Sequence, residues 1–153
     1  MINIITYRDY WESVKNRVAA IQSCLVVATE HQLGEKITNI SEYPLLVAVI
    51  PSADPNSRDV DNVKEVNTGF IFVLKKLAES DKTDDSYLEV MNETQLAMQE
   101  VKNLVAADFS DCDAPGHEVM KRLDVSSFHQ DPEYNYLGHD GWSLSFKFTS
   151  VGY

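Results

Sequence analysis

Trp142-Ser143-Leu144-Ser145-Phe146-Lys147-Phe148-Thr149 alternates without a break: Trp142, Leu144, Phe146 and Phe148 against Ser143, Ser145, Lys147 and Thr149. A period of two is that of a β-strand, whose successive side chains point to opposite faces. One dry face and one wet face mark an antiparallel sheet that is covered on one side. Other parts of the chain must supply the cover.

Two amphipathic helices can do so. Tyr7, Tyr10, Trp11, Val14, Val18, Ile21 and Leu25 recur at helical spacing, within an arc of about 100°. Arg8, Asp9, Glu12 and Lys15 lie outside it. Thr6 can cap this helix, with Asp9 at the reciprocal position. The helix is predicted to run on and to end before Gly34, although Val26 and Val27 would also suit a strand. A second helix is predicted from Asp84 to Ala107. Tyr87, Leu88, Val90, Met91, Met98, Val101 and Val105 share one side of its wheel. Asp85, Glu89, Glu93 and Glu100 share the other, within about 80°. Leu96 and Leu104 sit near that acidic side and mark it for contact with another surface.

The remaining strands are shorter signals. Tyr43-Pro44 sets an extended start. Leu45–Ile50 is an apolar run stopped by Pro51. Thr68–Leu74 is rich in β-formers. Val119–Phe128 offers Leu123 and Val125 as a third strand. Long loops are predicted at 52–67 and 129–141, with a connector from Asp108 to Gly116. The order is helix, strand, strand, helix, strand, strand, with no internal repeat. The expected fold is a single α+β domain over 1–153, with two amphipathic helices packed on one face of a mostly antiparallel sheet of about four strands.

Composition bounds the function. At 153 residues and 44% apolar content, one domain can bury a sufficient core without disulfides or metal. The run Leu45–Ile50 is far short of the roughly 20 residues of a membrane span. Met1-Ile2-Asn3-Ile4-Ile5 lacks the basic start and cleavage site of a secretory signal. Cys24 lies in an apolar stretch, and Cys112 sits between Asp111 and Asp113, opposite to the electropositive setting that activates thiols. Both thiols are expected to stay reduced in an intracellular setting. Net charge is −11, and residues 77–113 carry −8 of it. A patch like that repels phosphates, and no basic stripe offsets it, so no specific nucleic-acid binding is expected.

Catalytic signatures are absent: no phosphate-binding glycine loop, no zinc helix motif, no nucleophile elbow. His129, His139 and Asp140, with Asp131 and Glu133 nearby, are weak candidates for a metal site, because imidazole and carboxylate are metal donors. Asp111, Asp113 and His117 form a similar cluster. Asp54, Asn56, Asp59 and Asp61 suggest calcium, but the required glycine and closing glutamate are missing. No metal and no cofactor are expected. General acid–base work by the acids of the second helix would need an apolar setting, and a face with four acids reads as solvated. Tyr134, Tyr136 and Leu137 put apolar surface into a polar stretch, as protein interfaces do.

The layout resembles the tail terminator (tail completion) and neck proteins of tailed bacteriophages. The resemblance rests on the N-terminal amphipathic helix, Tyr43-Pro44 before Leu45–Ile50, the long polar loop, Thr68–Leu74, the acidic second helix and the closing Gly141–Phe148 strand. It covers most of the chain and brings no catalytic residues. It implies a virion protein assembled in the host cytoplasm as a ring, a hexamer or higher, that meets neighbouring neck or tail proteins and no membrane. Asp85, Glu89, Glu93 and Glu100 would then face the channel and let DNA pass. Tyr134, Tyr136, Leu137, Leu96 and Leu104 are the interface candidates. Two other readings are an acidic adaptor or inhibitor that binds a basic partner and a small metal-dependent enzyme using the His129–Asp140 region.

Overall fold

The alternating stretch forms most of β5 (His139–Val151) in a computed structural model that describes residues 2–55, 64–114, 117–120 and 122–151. Before it come α1 (Ile4–Arg17), β1 (Ser23–Val27), α2 (Glu30–Ile37), β2 (Leu45–Pro55), β3 (Lys64–Lys75), α3 (Asp84–Ser110) and β4 (Leu123–Tyr136). The five strands make one sheet in the order β1-β2-β3-β5-β4. Only β1 and β2 run parallel; the other three pairings are antiparallel. The α+β expectation and the antiparallel bias hold, with one more strand and one more helix than anticipated.

The dry face of β5 is covered as its pattern requires. Leu144, Phe146 and Phe148 join Leu46, Ala48, Ile71 and Val73 beneath α1 and α3. From α1 come Tyr7, Tyr10, Trp11 and Val14; from α3 come Ala97, Met98, Val101 and Val105. The rings of Tyr10 and Trp11 meet edge to face at 5.2 Å, and Trp11 leans on Phe146 at 6.2 Å. Gly69 pairs with Phe146 in register. A Cβ at Gly69 would come within 2.5 Å of the Phe146 ring, so the ring lies across the space a side chain would take. Trp142 donates from Nε1 to the Met91 carbonyl at 2.9 Å, tying β5 to α3.

One polar clip joins the two helices. Asp108, buried near the end of α3, accepts Arg17 Nη1 at 2.8 Å and Nη2 at 2.5 Å, and Tyr10 Oη at 3.1 Å. The bidentate fork satisfies a carboxylate that would be costly to bury alone. It also raises the Arg17 pKa through that hydrogen bond, while burial foremost, then Asp108, raises that of Tyr10.

The first helix is shorter than its periodicity suggests. Asn3, not Thr6, is the cap: its side chain accepts from the N–H groups of Ile5 and Thr6 at 3.0 Å each. Asp9 holds Arg8 instead. The chain turns extended at Val18. Cys24-Leu25-Val26-Val27 then pairs in parallel with Leu46–Val49, where β-branched side chains pack well on a pleated surface. Thr29 starts α2 by accepting from Gln32 N–H, and the Gln32 side chain accepts from Ala28 N–H at 2.8 Å. β1, α2 and β2 thus form a parallel crossover unit. α2 sits on the opposite face from α1 and α3. There Leu33 and Ile37 cover Val27, Leu45, Val47, Phe72 and Leu74.

Of the two expected loops, 129–141 is largely strand, and so are the described parts of 52–67, residues 52–55 and 64–67. β2 continues through Pro51, which falls where the register shifts between Val49 and Ser52, and Ala53–Pro55 pair with Glu65–Asn67. Residues 56–63 lie outside the described set. Residues 129–141 form the β4–β5 hairpin. Leu137 and Gly138 both have positive φ, 50° and 79°, as a two-residue primed turn requires. Asn135, at φ 50°, takes up the irregularity between Glu133 and Tyr136. Pro132 is tolerated because β4 is an edge strand.

Candidate functional site

α3 starts at Thr83, whose hydroxyl accepts from Ser86 N–H while Ser86 Oγ accepts from Thr83 N–H. From there the helix holds most of its wheel: Val90, Met91, Met98, Val101 and Val105 are buried, but Leu88, expected on that side, is 61% exposed. Asp85, Glu89, Glu93 and Glu100 are all exposed on the side away from the sheet. They are not equivalent: Lys75 Nζ at the end of β3 donates to Glu93 Oε2 at 2.6 Å. Asp85, Glu89 and Glu100 therefore carry most of the negative field of this face. Leu96 stands among them, 60% exposed. Leu104 does not; it is half-buried and packs against the main core. Its place on the wheel borders the buried arc, and the core claims it.

The tyrosines of the hairpin part company. Tyr134 is 76% exposed and meets the edge of Tyr87 at 5.5 Å. Tyr136 lies flat on Phe72, with centroids 5.0 Å apart and planes 6° from parallel. Phe70 continues the stack beyond Phe72 at 6.4 Å. Leu137, at the turn, is 37% exposed and lines an open depression of about 440 Å³ with Glu30, His31, Gly34 and Glu35 of α2. Phe70 and Phe72 are the site residues that sequence reasoning missed. Nothing in the sequence separates them from Ile71 and Val73; the register that sets them opposite Ser145 and Ser143 does.

The metal candidates do not converge. His139 is buried, and both ring nitrogens are engaged: Nδ1 donates to the Leu137 carbonyl at 2.9 Å, and Nε2 meets the Tyr43 hydroxyl at 3.0 Å. Burial lowers its pKa and favours the neutral ring. In that form Nε2 shares the single Tyr43 hydroxyl hydrogen with the Ile40 carbonyl, 3.1 Å from the same oxygen. Asp140 accepts from Asn135 N–H at 2.8 Å, and His129 faces Asp131 at 3.0 Å on the exposed edge strand. Asp111 accepts from Asp113 N–H, a local turn. Asp54 is exposed within β2, while Asn56, Asp59 and Asp61 lie outside the described residues. Among the described residues no three His, Cys, Asp or Glu side chains gather as a metal site would need, and no helix is long and apolar enough to cross a membrane. Cys24 is half-buried, and burial pushes its thiol up to about 12.

The arrangement therefore offers two surfaces: a solvated acidic helix face on one side of the sheet and an aromatic strip on the other. No family model and no curated protein matches this chain.

Proposed function

We propose that the chain is a structural virion protein of the head–tail neck or tail terminator type, which assembles with copies of itself into a ring, joins or closes the tail and lets DNA pass. The observation that supports this reading is the outer face of α3. Asp85, Glu89 and Glu100 stand in solvent along a 27-residue helix. A channel wall of that kind meets DNA phosphates with like charge, the inverse of the counterion release that makes proteins stick to DNA. The long helix and the five-stranded sheet beneath it supply a rigid wall to carry those charges.

Native mass spectrometry and negative-stain microscopy of the purified protein, alone and with tail proteins, test the proposal. The expected result is a closed ring, a hexamer or higher. A strictly monomeric protein at high concentration, still monomeric with tail proteins present, overturns it. A triple variant, Asp85→Lys, Glu89→Lys and Glu100→Lys, tests the channel role: rings persist and now retain duplex DNA at low salt, with retention falling steeply as salt rises.

A further inference from the structure

The open part of the wet face carries more apolar surface than a solvated sheet needs. Phe70 and Tyr136 each stack on Phe72 there; Phe72 is itself buried, and Phe70 is 42% exposed. Leu137 follows at the hairpin tip with φ 50°. The left-handed conformation costs an L-residue about 1–2 kcal/mol, and Asn, Asp or Gly normally take that place. Strain kept in an exposed apolar side chain points to a contact that uses it.

Acid flanks the row on both sides. Glu30 and Glu35 of α2 line the depression beside Leu137. On the far side the register sets Asp131 next to Ser143 and Glu133 next to Gly141, the partners of Phe72 and Leu74. Those residues share one face of the sheet. Burial first, then the charges of Glu30 and Glu133, raises the Tyr136 pKa, so both carboxylates act on its hydroxyl.

We infer that the strip of Phe70, Tyr136 and Leu137, floored by the buried Phe72, is a docking surface for a basic segment of another protein. Aliphatic or aromatic side chains of that segment rest on the rings, and its Lys or Arg side chains meet Glu30, Glu35, Asp131 and Glu133. Charge selects this occupant. A second copy of this chain would bring a net charge of −11 to an acidic rim, and nucleic-acid phosphates would be repelled. An aromatic centre within a charged rim is the usual anatomy of an interface that is both tight and selective. The inference stands whether or not the chain forms rings.

The test titrates the ¹⁵N-labelled protein with two synthetic peptides of equal length. One alternates Leu and Trp with Lys and Arg; the other has Glu in place of every Lys and Arg. The basic peptide is expected to shift the amides of Gly34, Phe70, Phe72, Tyr136 and Leu137. Its Kd should rise at least tenfold in Phe70→Ser, and again in Glu30→Gln/Glu133→Gln, with thermal melts showing both variants folded. Shifts confined to α3 around Glu89 and Glu100 overturn the inference, as do equal binding of the acidic peptide and indifference to Phe70→Ser. If the same amides broaden with protein concentration alone, the occupant is a second copy and the inference falls. Native mass spectrometry of Phe70→Ser reads ring assembly separately, so the two proposals fail independently.

Discussion

The two faces of the sheet are built to different standards. On one, α1 with 14 residues and α3 with 27 lie across the strands and bury Tyr7, Trp11, Val14, Leu144 and Phe146 almost completely. On the other, α2 has eight residues. Its two buried side chains, Leu33 and Ile37, reach Val27 of β1, Leu45 and Val47 of β2 and Phe72 and Leu74 of β3. Beyond it lie the rings of Phe70 and Tyr136, then Ser145 of β5 and the acids of β4; Ser143 is buried. Helix length divides the labour: one face holds the molecule together, and the other is left available.

That contrast can be broken by substitution. Trp11→Ala should cost about 3–5 kcal/mol, as large-to-small changes in a tight core do. Urea unfolding would show it as a lower midpoint with unchanged slope, and a loss under about 1 kcal/mol would erase the distinction between the faces. Gly69→Val should cost about 1–3 kcal/mol by overpacking against Phe146, even though it raises β-propensity. A stabilised variant would show that the ring is free to move away. On the open face, Phe70→Ser should cost no more than about 1 kcal/mol; a larger loss in the same unfolding assay would mean that the strip is core rather than surface.

The smallest effect concerns pH. Burial lowers the folded pKa of His139, whereas the unfolded chain takes up its proton near the ordinary 6.5. Below that pH the unfolded state binds more protons, so stability falls as pH drops towards the folded pKa and then levels off. Melting temperatures at pH 7.5 and 5.5 should fall further in the wild type than in His139→Gln. Equal falls would place the sensitivity in the carboxylates alone.

What could be read in advance follows from where the signals come from. β5 declared itself because one face is dry and the other wet. β2 and β3 showed as apolar runs, but Phe70 and Phe72 could not be told from Ile71 and Val73, because the open side of β3 is decided by where α2 stops. β1 was hidden: Val18, Ile21 and Leu25 fall on the arc of the preceding helix, and the partner of β1 is a distant parallel strand. The start of α2 at Thr29 went unread, because the periodicity of the first helix was carried on towards Gly34. β4 showed only at its start, where Leu123 and Val125 alternate; from His129 on, an edge strand with Pro132, Asp131 and Glu133 has little apolar face to show. The acids of α3 were plain from the wheel, whereas the pairing of Glu93 with Lys75 depends on a strand end brought near by the fold. Tyr136 and Leu137 were found as apolar residues in polar surroundings; the stack that unites them with Phe72 was not.

The order of the strands has a consequence for synthesis. β2 and β3 are neighbours in sequence and can zip early, but the other edge of β3 waits for β5, since Ile71 pairs with Leu144. Closing so wide a loop is slow. Meanwhile Thr68–Leu74 offers a bare row of amides and carbonyls, a template for any stray strand. The segment that leaves the ribosome next, residues 77–113, carries a net charge of −8. Mutual repulsion between nascent chains then guards the unfinished sheet against aggregation until its last partner arrives.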